Sequence, residues 1–310
     1  MKTKQICAAL ISSAILISCG GGKKEETSVA DSSGTKKDTM QTAAVPAGAP
    51  DPFKDITKSA SAAAKGDLVL IPSYNWIEES VSKGLDKTTF IYYNGTMSEP
   101  GDQTSKIEYT FDGVKEVPNY WFIALPKGAT AKKGDILLTW WQSGSGMQRA
   151  IVTDDKNPAE PVVNYIDIDW TNPAKNSKGV GYGQVEEQLK PNSFKVLTSA
   201  WEPGTSVAVS KDGEFKDATI INVSGEKILV KGFGGVMYTA DKSACTPIDI
   251  KPSVKAGDDV QTPWASGSYY NTKVIKVDAK MGRVWVKDKF GDEPRVVEFG
   301  SVTKGLAIPK

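Results

Sequence analysis

Histidine is absent from all 310 residues, and cysteine occurs three times. Without an imidazole that titrates or coordinates near neutrality, Ser-His-Asp and Cys-His catalysis, His-ligated zinc and a histidine pH switch are all excluded. Long hydrophobic runs are missing too: the apolar run Ile6 to Ile17 covers about a dozen residues, where a membrane helix needs roughly 20. Neither charge sign dominates, since 38 Lys and Arg stand against 37 Asp and Glu, and this balance gives no general attraction to nucleic acid.

Lys2 and Lys4 precede the apolar run, which therefore reads as a secretion signal. The run ends in Leu16-Ile17-Ser18-Cys19-Gly20, which resembles the lipobox of bacterial lipoproteins. The resemblance implies that residues 1–18 are removed and that Cys19 becomes the mature N-terminus, carrying palmitate-type acyl chains and diacylglycerol. Each buried methylene contributes about 0.8 kcal/mol, so several chains anchor a protein stably. Gly20 to Lys24 lack the acidic residue that retains some lipoproteins at the inner membrane, which favours the outer membrane. Cys7 leaves with the signal and Cys19 takes lipid, so the mature chain keeps one thiol, Cys245, and no intramolecular disulfide. Cys245 has no nearby base in sequence and is expected to be a buried, inert thiol.

Of the 27 aromatic residues, 26 follow residue 64, the exception being Phe53. Residues 19–64 are rich in Gly, Ser, Thr, Ala and Lys and read as a flexible tether. Such a coil reaches about 35–40 Å. Lys- and Gly-rich tethers of this kind are similar to those of spirochaete surface lipoproteins.

After residue 65 the chain shows short β-branched and aromatic runs between Gly, Pro, Asn and Asp, the pattern of an all-β body. One phrase recurs in it: Gly66-Asp67-Leu68-Val69-Leu70, Gly134-Asp135-Ile136-Leu137-Leu138, Gly204-Thr205-Ser206-Val207-Ala208-Val209 and Gly257-Asp258-Asp259-Val260-Gln261. Spacings of 68, 70 and 53 residues suit small barrels with insertions. About four tandem antiparallel β-barrels are expected, over 65–131, 132–199, 200–250 and 251–310. In the first, Glu99 to Ser105 interrupts the pattern; in the second, Asn172 to Pro191 is an insertion and a strand is expected over Val162 to Ile168.

A glycine before a strand, then an aromatic before an Ala-x-Ile strand, as in Phe215-Lys216-Asp217-Ala218-Thr219-Ile220, resembles Tudor-like and Src-homology-3-like barrels. The resemblance covers the third and fourth units best. It implies that Phe215, Phe233 and Tyr238 either form a cation-binding cage or are ordinary core and rim aromatics.

Candidate binding residues are aromatic or basic. Trp140-Trp141 ends a strand, so alternation turns one ring inward and the other, taken as Trp141, outward. Tyr269-Tyr270 repeats the arrangement, and these rings either pack between units or anchor a ligand. Residues 251–310 hold eleven Lys and Arg against seven Asp and Glu, with Lys273, Arg283, Lys287 and Lys289 on or beside neighbouring strands. They form either a contact for acidic surfaces or a solvated edge that discourages strand pairing. Asp167 and Asp169 fall on one face of an expected strand, where paired carboxylates could hydrolyse glycans or hold calcium. No metal-ligand pattern accompanies them, and Gly232-Phe233-Gly234-Gly235 lacks the helix and Lys of a phosphate cradle.

These readings favour a non-enzymatic, lipid-anchored envelope protein that binds another macromolecule, protein or glycan, through tandem barrels, with no cofactor beyond the lipid and no nucleic-acid partner. Two alternatives stay open: an assembly component that binds peptidoglycan or partner proteins within the envelope, and a carboxylate-based glycan hydrolase.

Overall fold

The structure, a computed structural model, describes residues 48–170, 175 and 179–308. The signal, Cys19 and the tether up to residue 47 lie outside the described residues.

The body is all-β, built as tandem small antiparallel barrels. The first sheet comprises β1 (Leu68–Pro72), β2 (Tyr92–Glu99), β3 (Thr104–Tyr109), β4 (Gly113–Pro118) and β5 (Ile123–Ala124). The second comprises β6 (Ile136–Trp140), β7 (Met147–Asp154), β8 (Val162–Tyr165), β9 (Glu186–Gln188) and β10 (Lys195–Val196). The third holds β11 (Ser206–Lys211), β12 (Glu214–Ser224), β13 (Lys227–Gly232), β14 (Met237–Asp241) and β15 (Cys245–Pro247). The fourth holds β16 (Asp259–Pro263), β17 (Tyr269–Asp278), β18 (Arg283–Val286) and β19 (Arg295–Glu298). In the first three sheets the opening strand lies between the second and the last, and the remaining strands follow as a meander. The fourth keeps the meander, and a bridge from Gln261 to Thr303 replaces the returning strand.

The recurring glycine phrase is the turn that starts each sheet. Gly66, Gly134, Gly204 and Gly257 have φ of 82°, 86°, 100° and 91°, a region costly for residues with a Cβ. Each glycine N–H donates to a carbonyl on the second strand, of Met97, Val152, Ile220 and Val274 respectively. Those four residues return a bond from their own N–H to the carbonyl of Asp67, Asp135, Thr205 or Asp258. Immediately after this exchange the second strand bulges against the third, skipping Ser98, Thr153, Ile221 and Ile275. A bulge bends the strand and increases its twist, which curls a short sheet into a barrel. The Asp of the phrase accepts a bond from the backbone three residues upstream, at Ala64, Lys132 and Lys255. Thr205 holds its turn differently, by donating its hydroxyl to the carbonyls of Glu202 and Ala200.

The first sheet follows the common order, and the stretch after Glu99 is the β2–β3 connection. Pro72, which has no N–H to continue a ladder, closes β1. The helix α1 (Tyr74–Lys83) follows, burying Ile77 and Ser80, and it ends before Gly84 at φ 97°. In the second sheet β8 stops at Tyr165, short of Asp167, and the expected insertion supplies β9.

One apolar cluster runs through all four sheets, taking in Leu70, Trp121, Ile136, Ile221, Met237 and Val284. On β6, Ile136 and Leu138 join that shared core, while Leu137 faces the second sheet's own cluster with Val152, Val163 and Phe194. Both faces of β6 are therefore buried, as its unbroken Ile-Leu-Leu run permits.

Residues 48–64 correct the expected tether. Phe53, Ile56 and Ala63 are buried in the shared core, and Phe53 meets Tyr120 and Trp121 edge-on at 5.8 and 5.5 Å. The Tyr120 hydroxyl donates to Asp51, and Asn119 donates to the Ser59 carbonyl. One aromatic and a few small apolar residues suffice because the barrels already present an apolar surface to cover.

Candidate functional site

A cleft of about 620 Å³ opens beside the first sheet. Its wall is Trp76 of α1 leaning on Tyr93 of β2, ring centroids 6.0 Å apart and planes tilted by 32°. Ile71 and the buried Tyr109 also line it, and Phe111 stands at its rim, 95% exposed at the β3–β4 turn. The second unit closes it with Gly144, Ser145 and Gly146. Burial raises the pKa of Tyr109, so its hydroxyl stays protonated, and among the described residues it has no hydrogen-bond partner. Size and lining match small-ligand sites, which span roughly 300–1,000 Å³ and are mostly apolar with a few polar groups.

The sequence-predicted Trp141 does not line the cleft but shapes its second wall. Its N–H donates to the Gly146 carbonyl, and its carbonyl accepts from the Gly144 N–H. Its indole donates to Ser143 at 2.9 Å and packs edge-on against Tyr182. Gly144 lies so close to this ring that a Cβ there would sit 2.3 Å from it.

A second, polar cavity of about 300 Å³ lies where the last three sheets meet. Arg149 of β7 donates to both oxygens of Asp167, at 2.7 to 3.1 Å, and to the Ser206 hydroxyl, with Glu298 at 3.9 Å. Burial alone would lower the Arg149 pKa, but Asp167 and Glu298 hold it above its ordinary value. Burial, reinforced by Glu298, pushes the Asp217 carboxyl up to about 7 against the pull of Arg149 and the Tyr269 hydroxyl. Half-buried Lys231 lines the cavity, and burial lowers its pKa. Asp167, considered from sequence for hydrolysis, is thus bound to Arg149, and it lies past the end of β8, which stops at Tyr165 and not at the expected Ile168.

The other predicted residues separate. Tyr269 and Tyr270 are both buried, so the one outward ring expected of this pair is corrected, and the alternative of packing between units describes Tyr269. Tyr269 packs with Ala208, Ile248 and Leu306 between the third and fourth sheets, and Phe215 packs on the same cluster. Tyr238 belongs to a different cluster, around Val207 and Ile228, and Phe233 is exposed, so the three candidate cage rings do not converge. Arg283, expected on a basic edge, is 2% exposed. It donates to the carbonyls of Tyr165 and Ile168 and lies over Trp170, because β18 packs on the second sheet. Lys273 pairs with Asp259 at 2.7 Å. Lys287 and Lys289 line a cleft of about 610 Å³ with Tyr269 and Tyr270, where Asp288 offsets part of their charge.

Sequence reasoning missed Trp76, Tyr93, Tyr109 and Phe111. Phe111 carried a usable signal: in Thr110-Phe111-Asp112-Gly113 an aromatic occupies a hairpin turn, where side chains face solvent. Trp76 and Tyr93 carried none, since they meet only because α1 folds back on β2.

No protein-family model matches the chain, and no curated protein does. Among solved structures it is similar to AGDP1 AGD34 of Arabidopsis thaliana, at 18% identity over 34% of this chain and 82% of that one, with TM-score 0.21. It is also similar to the four MBT repeats of Drosophila melanogaster Sfmbt, solved in complex with a peptide, at 9% identity over 81% and 93% of the two chains, with TM-score 0.16. At such scores the likeness assigns neither a function nor a site.

Proposed function

We propose that the protein is a non-enzymatic, lipid-anchored component of the cell envelope that binds a macromolecular partner through the cleft between α1, β2 and the 144–146 loop. The observation that carries the binding reading is the cleft: aromatic rings brought together by α1, β2 and β3, open to solvent, with a fully exposed phenyl ring at the rim. Aromatic anchors of this kind dominate binding energetics. Lipid anchoring rests on the lipobox resemblance around Cys19.

A photo-crosslinking amino acid placed at position 111 in the full-length, lipidated protein tests the cleft in intact cells. An adduct is expected from position 111, and Trp76→Ala should abolish it. An adduct from exposed position 290 of the fourth unit, with none from 111, would overturn the assignment. For the anchor, Cys19→Ser should abolish fatty-acid labelling and release the protein from the membrane fraction; persistent labelling would refute it.

A further inference from the structure

The lining of the cleft narrows the chemistry of its occupant. We infer that it takes a neutral, polyhydroxylated chain, an oligosaccharide, stacked on the Trp76–Tyr93 wall. This rests on the cleft being the binding site.

Three observations converge. First, no Lys or Arg lines the cleft, and Asp112 is its one charged side chain among the described residues. A polyanion would meet no counter-charge there and would be repelled by Asp112. Second, the polar groups around the rings suit hydroxyls. Asn75 and Asn94 are planar amides that donate and accept side by side, Ser73 and Ser145 do both through one oxygen, and Asp112 accepts. No side-chain hydrogen bond to the protein engages these five residues among the described residues, so their capacity is free for a ligand. Vicinal hydroxyls of a sugar match an amide edge in spacing, and its axial C–H face matches an aromatic ring. Third, the ring geometry disfavours the competing occupant, an organic cation. A cage for a quaternary cation turns several ring faces toward one point. Trp76 and Tyr93, with centroids 6.0 Å apart, lean on each other and leave no room for a cation between them. They form a wall, which suits a flat, extended ligand.

The test titrates the full-length protein, carrying Cys19→Ser for solubility, with three probe series: neutral gluco- and chito-oligosaccharides, hyaluronan as a polyanion, and a lysine-rich peptide. Isothermal titration calorimetry, which needs no reporter ring in the cleft, measures occupancy. Saturable binding is expected for at least one neutral series alone, with Kd raised at least about tenfold by Trp76→Ala and by Asn94→Ala, a loss of about 1.4 kcal/mol or more. Asn94→Ala removes no core group, so its effect does not depend on the Trp76 variant folding. Phe233→Ala, exposed elsewhere, should change nothing. If only the peptide or hyaluronan binds and Trp76→Ala abolishes it, the oligosaccharide inference falls while the cleft remains the binding site. If no series binds, or neutral binding survives both cleft variants, the inference is also overturned, and the position-111 crosslink separately decides the cleft.

Discussion

Asp217 lies where the third and fourth sheets meet, accepting a bond from the Tyr269 hydroxyl while its own N–H donates to the Gly267 carbonyl. Its carboxyl is pushed up to about 7 from 3.8 by burial and by Glu298. The unfolded chain releases this proton near pH 4 and the folded chain only near 7, so between those values folding takes up a proton. The stabilisation it brings is complete below about pH 4 and is lost as pH rises to 7, with a slope of at most about 1.4 kcal/mol per pH unit. Thermal melts at pH 5 and pH 8 should therefore show lower stability at pH 8, and Asp217→Asn should narrow the gap. An unchanged gap in the variant would contradict this account. Nothing in the string Phe215-Lys216-Asp217-Ala218 marks the Asp as enclosed, because Tyr269 and Glu298 that surround it are more than 50 residues away. Arg283 was misplaced for the same reason: a cation on a short strand reads as surface unless the second sheet that covers it is known. Cys245, expected to be buried, is half-buried, and partial burial with Asp241 nearby pushes its thiol up to about 11.

At the scale of the element, the four glycine turns were legible because their determinants are local. A positive φ demands glycine, and the following Asp or Thr holds the turn through atoms at most a few residues away. The tertiary setting nevertheless makes the four turns unequal. A Cβ on Gly204 would lie 2.6 Å from the buried Leu138 side chain, whereas one on Gly257 would meet nothing within 4 Å. Gly257→Ala should cost about 1 kcal/mol of backbone strain, and Gly204→Ala about 2–4 kcal/mol once overpacking is added. Urea midpoints measure the difference, and equal shifts would show that the contact with Leu138 relaxes freely. The helix α1 was not legible, because ten residues with two buried positions give too weak a periodicity. The Trp76 half of the candidate site went unseen with it.

For the whole molecule, the boundary of the folded body lies earlier than composition suggests. Phe53 fills an aromatic pocket with Tyr120 and Trp121, so Phe53→Ala should cost about 3–5 kcal/mol in chemical denaturation. An unmoved midpoint would mean that residues 48–64 contribute no stability. The sequence by itself determined the β class, the repeated turn and its order along the chain, because strand alternation and positive-φ glycines are properties of a few adjacent residues. The stretch Leu16 to Cys19, on which the proposed anchor rests, is likewise read along the chain alone. Only the tertiary structure decided which aromatics are buried between sheets, that Arg283 is enclosed, that Arg149 ties Asp167, and that Trp76, Tyr93 and the 144–146 loop share one cleft. Those outcomes depend on how barrels of similar sequence pack on one another, and packing is set by surfaces assembled from residues far apart in the chain.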